Sequence, residues 1–171
     1  NTVLSSKVAD YVLTGGVVAN ILLASNNVNI GNASLNYINQ QGYASFIETG
    51  RDILSKFRNK VILPTDLSYV NEGKRFEIGI DKLPENFALI DIGQETVNKY
   101  RAIISSAKTV FTNGPMGIFE DTLTEFGTKE IWKAISETEA FTVIGGGDSI
   151  TATNKYNLQS KMSYICTGGG V

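Results

Sequence analysis

Short apolar runs alternate with longer amphipathic stretches along the chain, and this alternation restricts the folds that it can adopt. The runs contain β-branched and aromatic residues and show little period-2 alternation, so they are predicted to be buried strands: Tyr11–Thr14, Lys60–Leu63, Phe87–Asp91, Thr109–Thr112, Ala140–Ile144 and Ser163–Thr167. The stretches between them are predicted to be helices: Val17–Ser25, Ser45–Arg58, Gln94–Ser106, Thr128–Glu137 and Ser149–Asn157. This succession is typical of βαβ units, and it predicts an α/β fold with a mostly parallel sheet and helices on both faces.

One segment departs from this succession. Asp66–Val70 and Arg75–Ile80 flank the turn sequence Asn71-Glu72-Gly73-Lys74. The pattern predicts a β-hairpin, which we expect as an appendage at the sheet edge. No repeat, low-complexity run or linker divides the 171 residues, so residues 1–171 are predicted to form a single domain.

The composition excludes several kinds of chemistry. With a net charge of −2, the chain lacks the excess of basic residues that non-specific binding of nucleic acid requires. Histidine is absent, which removes the commonest general base and rules out a Ser-His-Asp triad. The single cysteine, Cys166, cannot form an internal disulfide, and no apolar run is long enough to span a bilayer. We therefore expect a cytoplasmic protein.

Glycines cluster directly after four of the predicted strands. The clusters are Thr14-Gly15-Gly16, Asn113-Gly114-Pro115, Gly145-Gly146-Gly147 and Thr167-Gly168-Gly169-Gly170. In a parallel sheet the carboxyl ends of the strands share one edge, and ligands of open α/β sheets bind there. We therefore expect the clusters to line one crevice, although any one of them could serve tight packing alone.

The run Gly145-Gly146-Gly147-Asp148-Ser149 is the best candidate for a phosphate site. It follows a predicted strand and opens a predicted helix, whose free N–H groups and partly positive end favour anions. Asp148 is expected either to cap this helix or to reach a bound Mg²⁺. The Walker sequence and Gly-x-Gly-x-x-Gly are both absent, so the chain is not predicted to be a P-loop protein or a standard dinucleotide-binding domain.

Taken in order, several segments resemble the C-terminal, nucleotide-binding half of phosphoglycerate kinases. They are Asn113–Glu120, Gly127-Thr128-Lys129, Thr142–Ser149 and Thr167–Gly170, together with Leu63–Asp66 and Asp91-Ile92-Gly93. The resemblance extends from about Val8 to Val171, and Thr14–Asn20 is closer to archaeal members than to animal ones. It implies a three-layer αβα Rossmann-like domain that holds ADP or ATP with Mg²⁺. The family transfers a phosphoryl group between 1,3-bisphosphoglycerate and ADP.

The resemblance also implies which residues contact the nucleotide: Gly15, Gly16, Asn113, Pro115, Glu120, Gly145, Gly146, Gly147, Asp148 and Ser149. The first two would lie against the adenine, and Glu120 would accept hydrogen bonds from the ribose hydroxyls. Asp148 would reach Mg²⁺. The catalytic residues would be Gly168, Gly169 and Gly170, whose N–H groups would face the phosphoryl group during its transfer.

Parts of the family pattern are not found in the sequence: the N-terminal domain that binds phosphoglycerate, a Gly-Ala-Lys-type segment before the first strand, and a helix after the last glycine run. We therefore expect a fragment of a two-domain kinase that keeps its fold, binds nucleotide weakly and is inactive without its N-terminal substrate domain. Surfaces exposed where these parts belong could promote a homo-oligomer.

Other functions stay open on the sequence alone. A non-enzymatic α/β module that binds a nucleotide or another phosphorylated ligand would use the same glycine edge. It would gain no activity when mixed with the missing half. A dehydrogenase-type domain is disfavoured because its fingerprint is absent after the first strand.

Overall fold

The computed structural model describes residues 2–168. Its strands are β1 (Val12–Leu13), β2 (Val61–Ile62), β3 (Asp66–Asn71), β4 (Lys74–Gly79), β5 (Asp91–Ile92), β6 (Thr109–Asn113), β7 (Phe141–Gly145) and β8 (Tyr164–Ile165). Strands β1 and β2 pair in parallel, and β6, β7 and β8 form a parallel sheet in that order. Strands β4, β3 and β5 form an antiparallel sheet. The predicted α/β fold class is confirmed.

Helix α1 precedes β1, and the other helices lie between strands, as the sequence predicts. They are α1 (Thr2–Ser5), α2 (Gly16–Ser25), α3 (Asn32–Gln40), α4 (Phe46–Phe57), α5 (Gln94–Ser106), α6 (Phe126–Glu137) and α7 (Gly147–Lys155), with 3-10 turns at Ile80–Lys82 and Gln159–Lys161. Helix α2 packs against α3 and α4, α5 against α6, and α6 against α7. Within residues 2–168 none of the helices is both long and apolar enough to cross a membrane.

The main core contains three large side chains that are almost fully buried, those of Trp132, Tyr100 and Phe119. Two of them carry polar groups, and both groups are paired, as burial requires. The Trp132 Nε1–H donates to Thr153 Oγ1 over 2.9 Å. The Tyr100 hydroxyl donates to the Thr14 carbonyl over 2.6 Å, which fixes α5 against the carboxyl end of β1.

The predicted hairpin is confirmed, and it is part of a larger unit. Glu72 and Gly73 form its turn with φ values of 48° and 72°, the left-handed pair that a two-residue hairpin turn favours. Asp66 at the start of β3 accepts the Glu95 and Thr96 N–H groups of α5, at 3.0 and 2.9 Å. The hairpin is therefore tied to the helix layer, and β5 completes it as an antiparallel sheet.

The prediction of a parallel strand over Phe87–Asp91 is wrong in position and partner. The strand is β5, and Ile92 pairs antiparallel with Leu67 of β3. Phe87 lies outside the strands, and its ring stacks on that of Tyr69 with centroids 5.4 Å apart. The aromatic residue that suggests a strand is used for packing against the hairpin.

Helix α3 has no counterpart among the predicted helices. Its sequence, Asn-Ala-Ser-Leu-Asn-Tyr-Ile-Asn-Gln, is rich in asparagine, which has a low helix propensity. Tertiary contacts compensate for this: Ile38 is 1% exposed, and Ser34 Oγ accepts the Leu89 N–H over 3.1 Å. Packing therefore decides the conformation of this segment against local preference.

One face of the sheet β6-β7-β8 is exposed. Phe111, Phe141 and Tyr164 are 52%, 56% and 57% exposed. Phe111 and Tyr164 each pair in register with Val143, so these aromatic side chains share one face. Ile144, on the opposite face, is fully buried. The prediction that these strands are buried on both faces is wrong within the described part of the chain.

Candidate functional site

The loops after β1 and β6 touch each other directly. The Gly16 N–H donates to the Met116 carbonyl over 2.9 Å. A methyl group at Gly15 would lie 2.4 Å from Met116 Sδ and 3.0 Å from Met116 Cα, so a side chain there would force the loop after β6 to shift. Gly16 has a φ of 59°, in the left-handed region that glycine tolerates. The predicted adenine contacts of this pair remain a prediction.

The loop after β6 also meets the start of α7. Asn113 pairs in register with Gly145, and a methyl group at Gly146 would lie 2.4 Å from Asn113 Oδ1. Ser149 Oγ accepts the Gly114 N–H over 2.7 Å. Ser149 is fully buried, and its hydroxyl joins the loop after β6 to the start of α7. These contacts bring the β1, β6 and β7 glycine clusters to one edge. The predicted contact of Ser149 with the nucleotide remains a prediction.

At the start of α7, the first backbone N–H groups have no hydrogen-bond partner among residues 2–168. The helix begins at Gly147 after the N-cap residue Gly146, which has no side chain to accept the first N–H groups. The space around the Gly147 Cα is open. Free N–H groups and the positive end of the helix dipole therefore face a region that an anion could occupy.

Asp148 does not cap α7, contrary to one of its two expected roles. It lies inside the first turn, its side chain is exposed, and the helix has no side-chain cap hydrogen bond. Among residues 2–168 no group of three His, Cys, Asp or Glu side chains could hold a metal ion. A lone exposed carboxylate fits Mg²⁺ that is bound mainly by phosphate oxygens and water, since Mg²⁺ is commonly held by one or two carboxylates beside a substrate phosphate.

The fourth glycine cluster follows β8. The Cys166 N–H donates to the Ile144 carbonyl over 2.8 Å, which extends the pairing of β8 with β7 towards the same edge. Gly168 is exposed, with open space around its Cα. Gly169 and Gly170 lie outside the described residues, so the catalytic role predicted for this run stays a prediction.

Glu120 lies in the loop between β6 and α6, which we call the β6–α6 loop (residues 114–125). Its side chain is exposed and makes no hydrogen bond to the described residues. The neighbouring Phe119 is 2% exposed and anchors the loop in the core. Pro115 is half-buried at the start of the loop, with its carbonyl near Gly16. The Glu120 carboxylate can therefore accept hydrogen bonds from a ligand, while the buried Phe119 fixes the backbone beside it.

A buried ion pair supports this loop, and the sequence gives little sign of it. Arg75 of β4 donates to Asp91 Oδ2 over 2.9 Å, to the Ile92 carbonyl over 2.8 Å and to the Leu123 carbonyl over 3.2 Å. Asp91 also accepts the Gly127 N–H near the start of α6, over 2.8 Å. Burial raises the pKa of Asp91 to about 6, although Gly127 and Arg75 act in the opposite direction. The pair connects the hairpin, the loop and α6.

A second concavity of about 290 Å³ lies elsewhere, between α4, β2 and α5. Arg58, Pro64 and Lys99 are among the residues that line it. It contains none of the residues that the sequence predicts to bind a ligand. The glycine edge is therefore the better candidate site.

Comparison with known proteins finds the same family among sequence models and curated relatives. The family model described as phosphoglycerate kinase matches residues 2–171. A phosphoglycerate kinase from Methanothermobacter thermautotrophicus is 39% identical over 168 residues, covering 98% of this chain and 41% of that protein. One from Pyrococcus abyssi is 38% identical over 172 residues, covering 98% of this chain and 42% of that protein. These relatives are archaeal, as Thr14–Asn20 predicts.

Solved structures agree. The crystal structure of phosphoglycerate kinase from Pyrococcus horikoshii has a TM-score of 0.90 at 34% identity, covering 98% of this chain and 42% of that chain. The structure of the enzyme from Coxiella burnetii has a TM-score of 0.83 at 28% identity, covering 94% and 42%. The chain thus spans about 41% of the length of the relatives that it matches.

Proposed function

The chain belongs to the phosphoglycerate kinase family, and from this premise we propose that it is the part of such an enzyme that binds ADP or ATP. The observation that carries this proposal is the contact between three glycine clusters at one edge. Gly16 is bonded to Met116, and Gly114 to Ser149, beside the open start of α7. The proposal for the whole protein is phosphoryl transfer between 1,3-bisphosphoglycerate and ADP, in the cytoplasm.

In this proposal most contacts with the phosphates come from backbone N–H groups. The N–H groups of the exposed residues Gly147 and Asp148 hold the phosphates, because they have no partner within the helix. Fixed dipoles of this kind stabilise the charge that develops on a transferring phosphoryl group and need not reorganise. Mg²⁺, when bound with the nucleotide beside Asp148, would neutralise part of the phosphate charge. No general base is required, because the attacking group is already an anion.

The lack of histidine is therefore compatible with this reaction, which needs positioning more than acid–base chemistry. Because the chain spans about 41% of its relatives, we propose that the phosphoglycerate site is supplied by sequence outside the matched segment. We accordingly expect negligible turnover from the 171 residues alone.

The test is complementation. The chain is assayed for ATP formation alone and after mixing with the portion of the Methanothermobacter relative that lies outside the 168 matched residues. We expect activity only in the mixture, and less of it with Asp148→Asn. A mixture that stays inactive while the chain binds ADP would favour a non-enzymatic nucleotide-binding module. A chain that is fully active alone would contradict the proposed division.

A further inference from the structure

Lys155, the last residue of α7, contacts the β6–α6 loop. Its Nζ donates to the Phe119 carbonyl and lies 3.0 Å from Glu125 Oε2. The ammonium group also lies 6.0 Å from the centroid of the Phe119 ring and 5.7 Å from that of Tyr156, within range of cation–π attraction. A single side chain therefore connects the far end of α7 to the loop that carries Glu120.

Glu125 completes the cluster from the other end of the loop. Its Oε2 accepts the Tyr156 hydroxyl over 3.0 Å as well as the contact from Lys155. Burial raises the pKa of Glu125, but hydrogen bonds from Lys155 and Tyr156 outweigh this and hold it below the ordinary value. The side chain is 16% exposed, so the pair is partly shielded from water. The carboxylate stays ionised near neutral pH and keeps Lys155 oriented.

The carbonyl that accepts the hydrogen bond from Lys155 belongs to the residue before Glu120. The Phe119 carbonyl and the Glu120 N–H belong to one planar peptide group, so fixing the oxygen restricts the orientation of the Glu120 Cα. Phe119 is buried, whereas Glu120 is exposed. Within the loop, the Leu123 N–H donates to Asp121 Oδ1 over 2.8 Å, and the Thr124 hydroxyl donates to the Ile118 carbonyl. Neither bond involves the peptide group between Phe119 and Glu120.

We propose that Lys155 is a positioning residue that holds Glu120 in place for the ribose hydroxyls of the nucleotide. The inference rests on the proposed function, because it needs a nucleotide at this edge. It adds a link along α7: the start of the helix meets the phosphates, and its last residue orients the loop that meets the ribose. Lys155 itself does not touch the ligand.

The test compares ADP with 2′,3′-dideoxy-ADP, which lacks the ribose hydroxyls. Calorimetry gives Kd for both nucleotides with wild type, Lys155→Met, Lys155→Arg and the control Lys161→Met, whose lysine is exposed on the turn after α7. We expect wild type to prefer ADP by about tenfold, the effect of one charge-assisted hydrogen bond. Lys155→Met should reduce the preference to about twofold, mainly through ADP. Lys155→Arg and Lys161→Met should retain it.

The double variant Lys155→Met/Glu120→Ala should show no loss of preference beyond that of Glu120→Ala, because the two residues act as one unit. Equal weakening of both nucleotides in Lys155→Met, or an unchanged preference, would overturn the positioning role. If wild type binds both nucleotides equally, Glu120 does not contact the ribose hydroxyls and the proposed role of Lys155 is wrong. Nucleotide binding by the chain would still be supported. If wild type binds neither nucleotide, the proposed function fails as well.

Discussion

At the scale of single residues, Asp91 and Arg75 form the most deeply buried ion pair among the described residues. The Asp91 side chain is fully buried, and that of Arg75 is 17% exposed. Removing one member of a buried ion pair leaves the other charge without compensation. One oxygen of Asp91, Oδ1, already has no hydrogen-bond partner among residues 2–168. Loss of Arg75 would therefore leave a buried carboxylate with few remaining donors.

Arg75→Met is expected to lower the free energy of unfolding by about 3–5 kcal/mol at pH 7. The measurement is urea denaturation followed by circular dichroism. Arg51→Met is the matched control, because Arg51 pairs with Glu48 at the surface and both side chains are largely exposed. Its effect should stay below about 1 kcal/mol. Similar losses of unfolding free energy in the two variants would contradict a larger contribution from the buried pair than from the surface pair.

The same pair predicts a pH dependence of stability. The pKa of Asp91 is about 6 in the folded chain against an ordinary value of 3.8, so the folded state binds the proton more tightly. The resulting stabilisation is complete below about pH 4. It is lost as the pH rises to about 6, at roughly 1.4 kcal/mol for each pH unit between these two values. Asp91→Asn should remove this fall from the stability profile measured between pH 4 and 7. A wild-type profile with the same slope as the variant would contradict the assigned pKa.

At the scale of elements, the parts of the fold that follow local rules could be predicted. The hairpin has a two-residue turn with both φ values positive, and a glycine, Gly73, between two strand-like runs indicates a turn at this position. Strands β6 and β7 and helices α5 and α6 begin or end within a few residues of their predicted bounds. In these segments the local sequence pattern agrees with the tertiary contacts.

Elements that depend on distant partners could not be predicted. Helix α3 is held by burial of Ile38 and by the bond between Ser34 and Leu89, 55 residues apart. The contact of Lys155 with Phe119 spans 36 residues. The sequence does show a glycine cluster after each strand of the site, because those positions need room or a positive φ locally. It does not show the side chains that fix the loops between them.

The junction between β6 and α7 gives a test at this scale. Ser149→Ala removes the acceptor of the Gly114 N–H, and we expect a loss of about 1–3 kcal/mol in the free energy of unfolding because a partly buried donor loses its partner. The control is Thr151→Ala on the same helix, whose hydroxyl bonds only to the exposed turn at Gly147. Its change should lie within about 0.5 kcal/mol. The changes are measured by thermal denaturation. Equal losses of unfolding free energy in Ser149→Ala and Thr151→Ala would show that the hydrogen bond at the junction contributes no more than the exposed one.

At the scale of the whole molecule, the exposed aromatic face of β6-β7-β8 predicts self-association of the chain. Contiguous apolar side chains on a surface favour contact with another apolar surface. Sedimentation velocity over a range of concentrations should show reversible growth in mass, reduced by Phe141→Ser and Tyr164→Ser. Phe76→Ser, at a 41% exposed position on the hairpin, is the control and should have no effect. A monomer at all concentrations would contradict this prediction.

Nucleotide binding at the glycine edge, with Asp148 beside the metal ion, can be measured by calorimetric titration. Wild type and Asp148→Ala are each titrated with ADP, with and without Mg²⁺. We expect one saturable site whose affinity rises with Mg²⁺. In Asp148→Ala that gain should fall by about tenfold, while binding without Mg²⁺ stays equal or improves because a like charge is removed. Absence of saturable binding in wild type, or equal Mg²⁺ dependence in the two proteins, would contradict the proposed role of this edge.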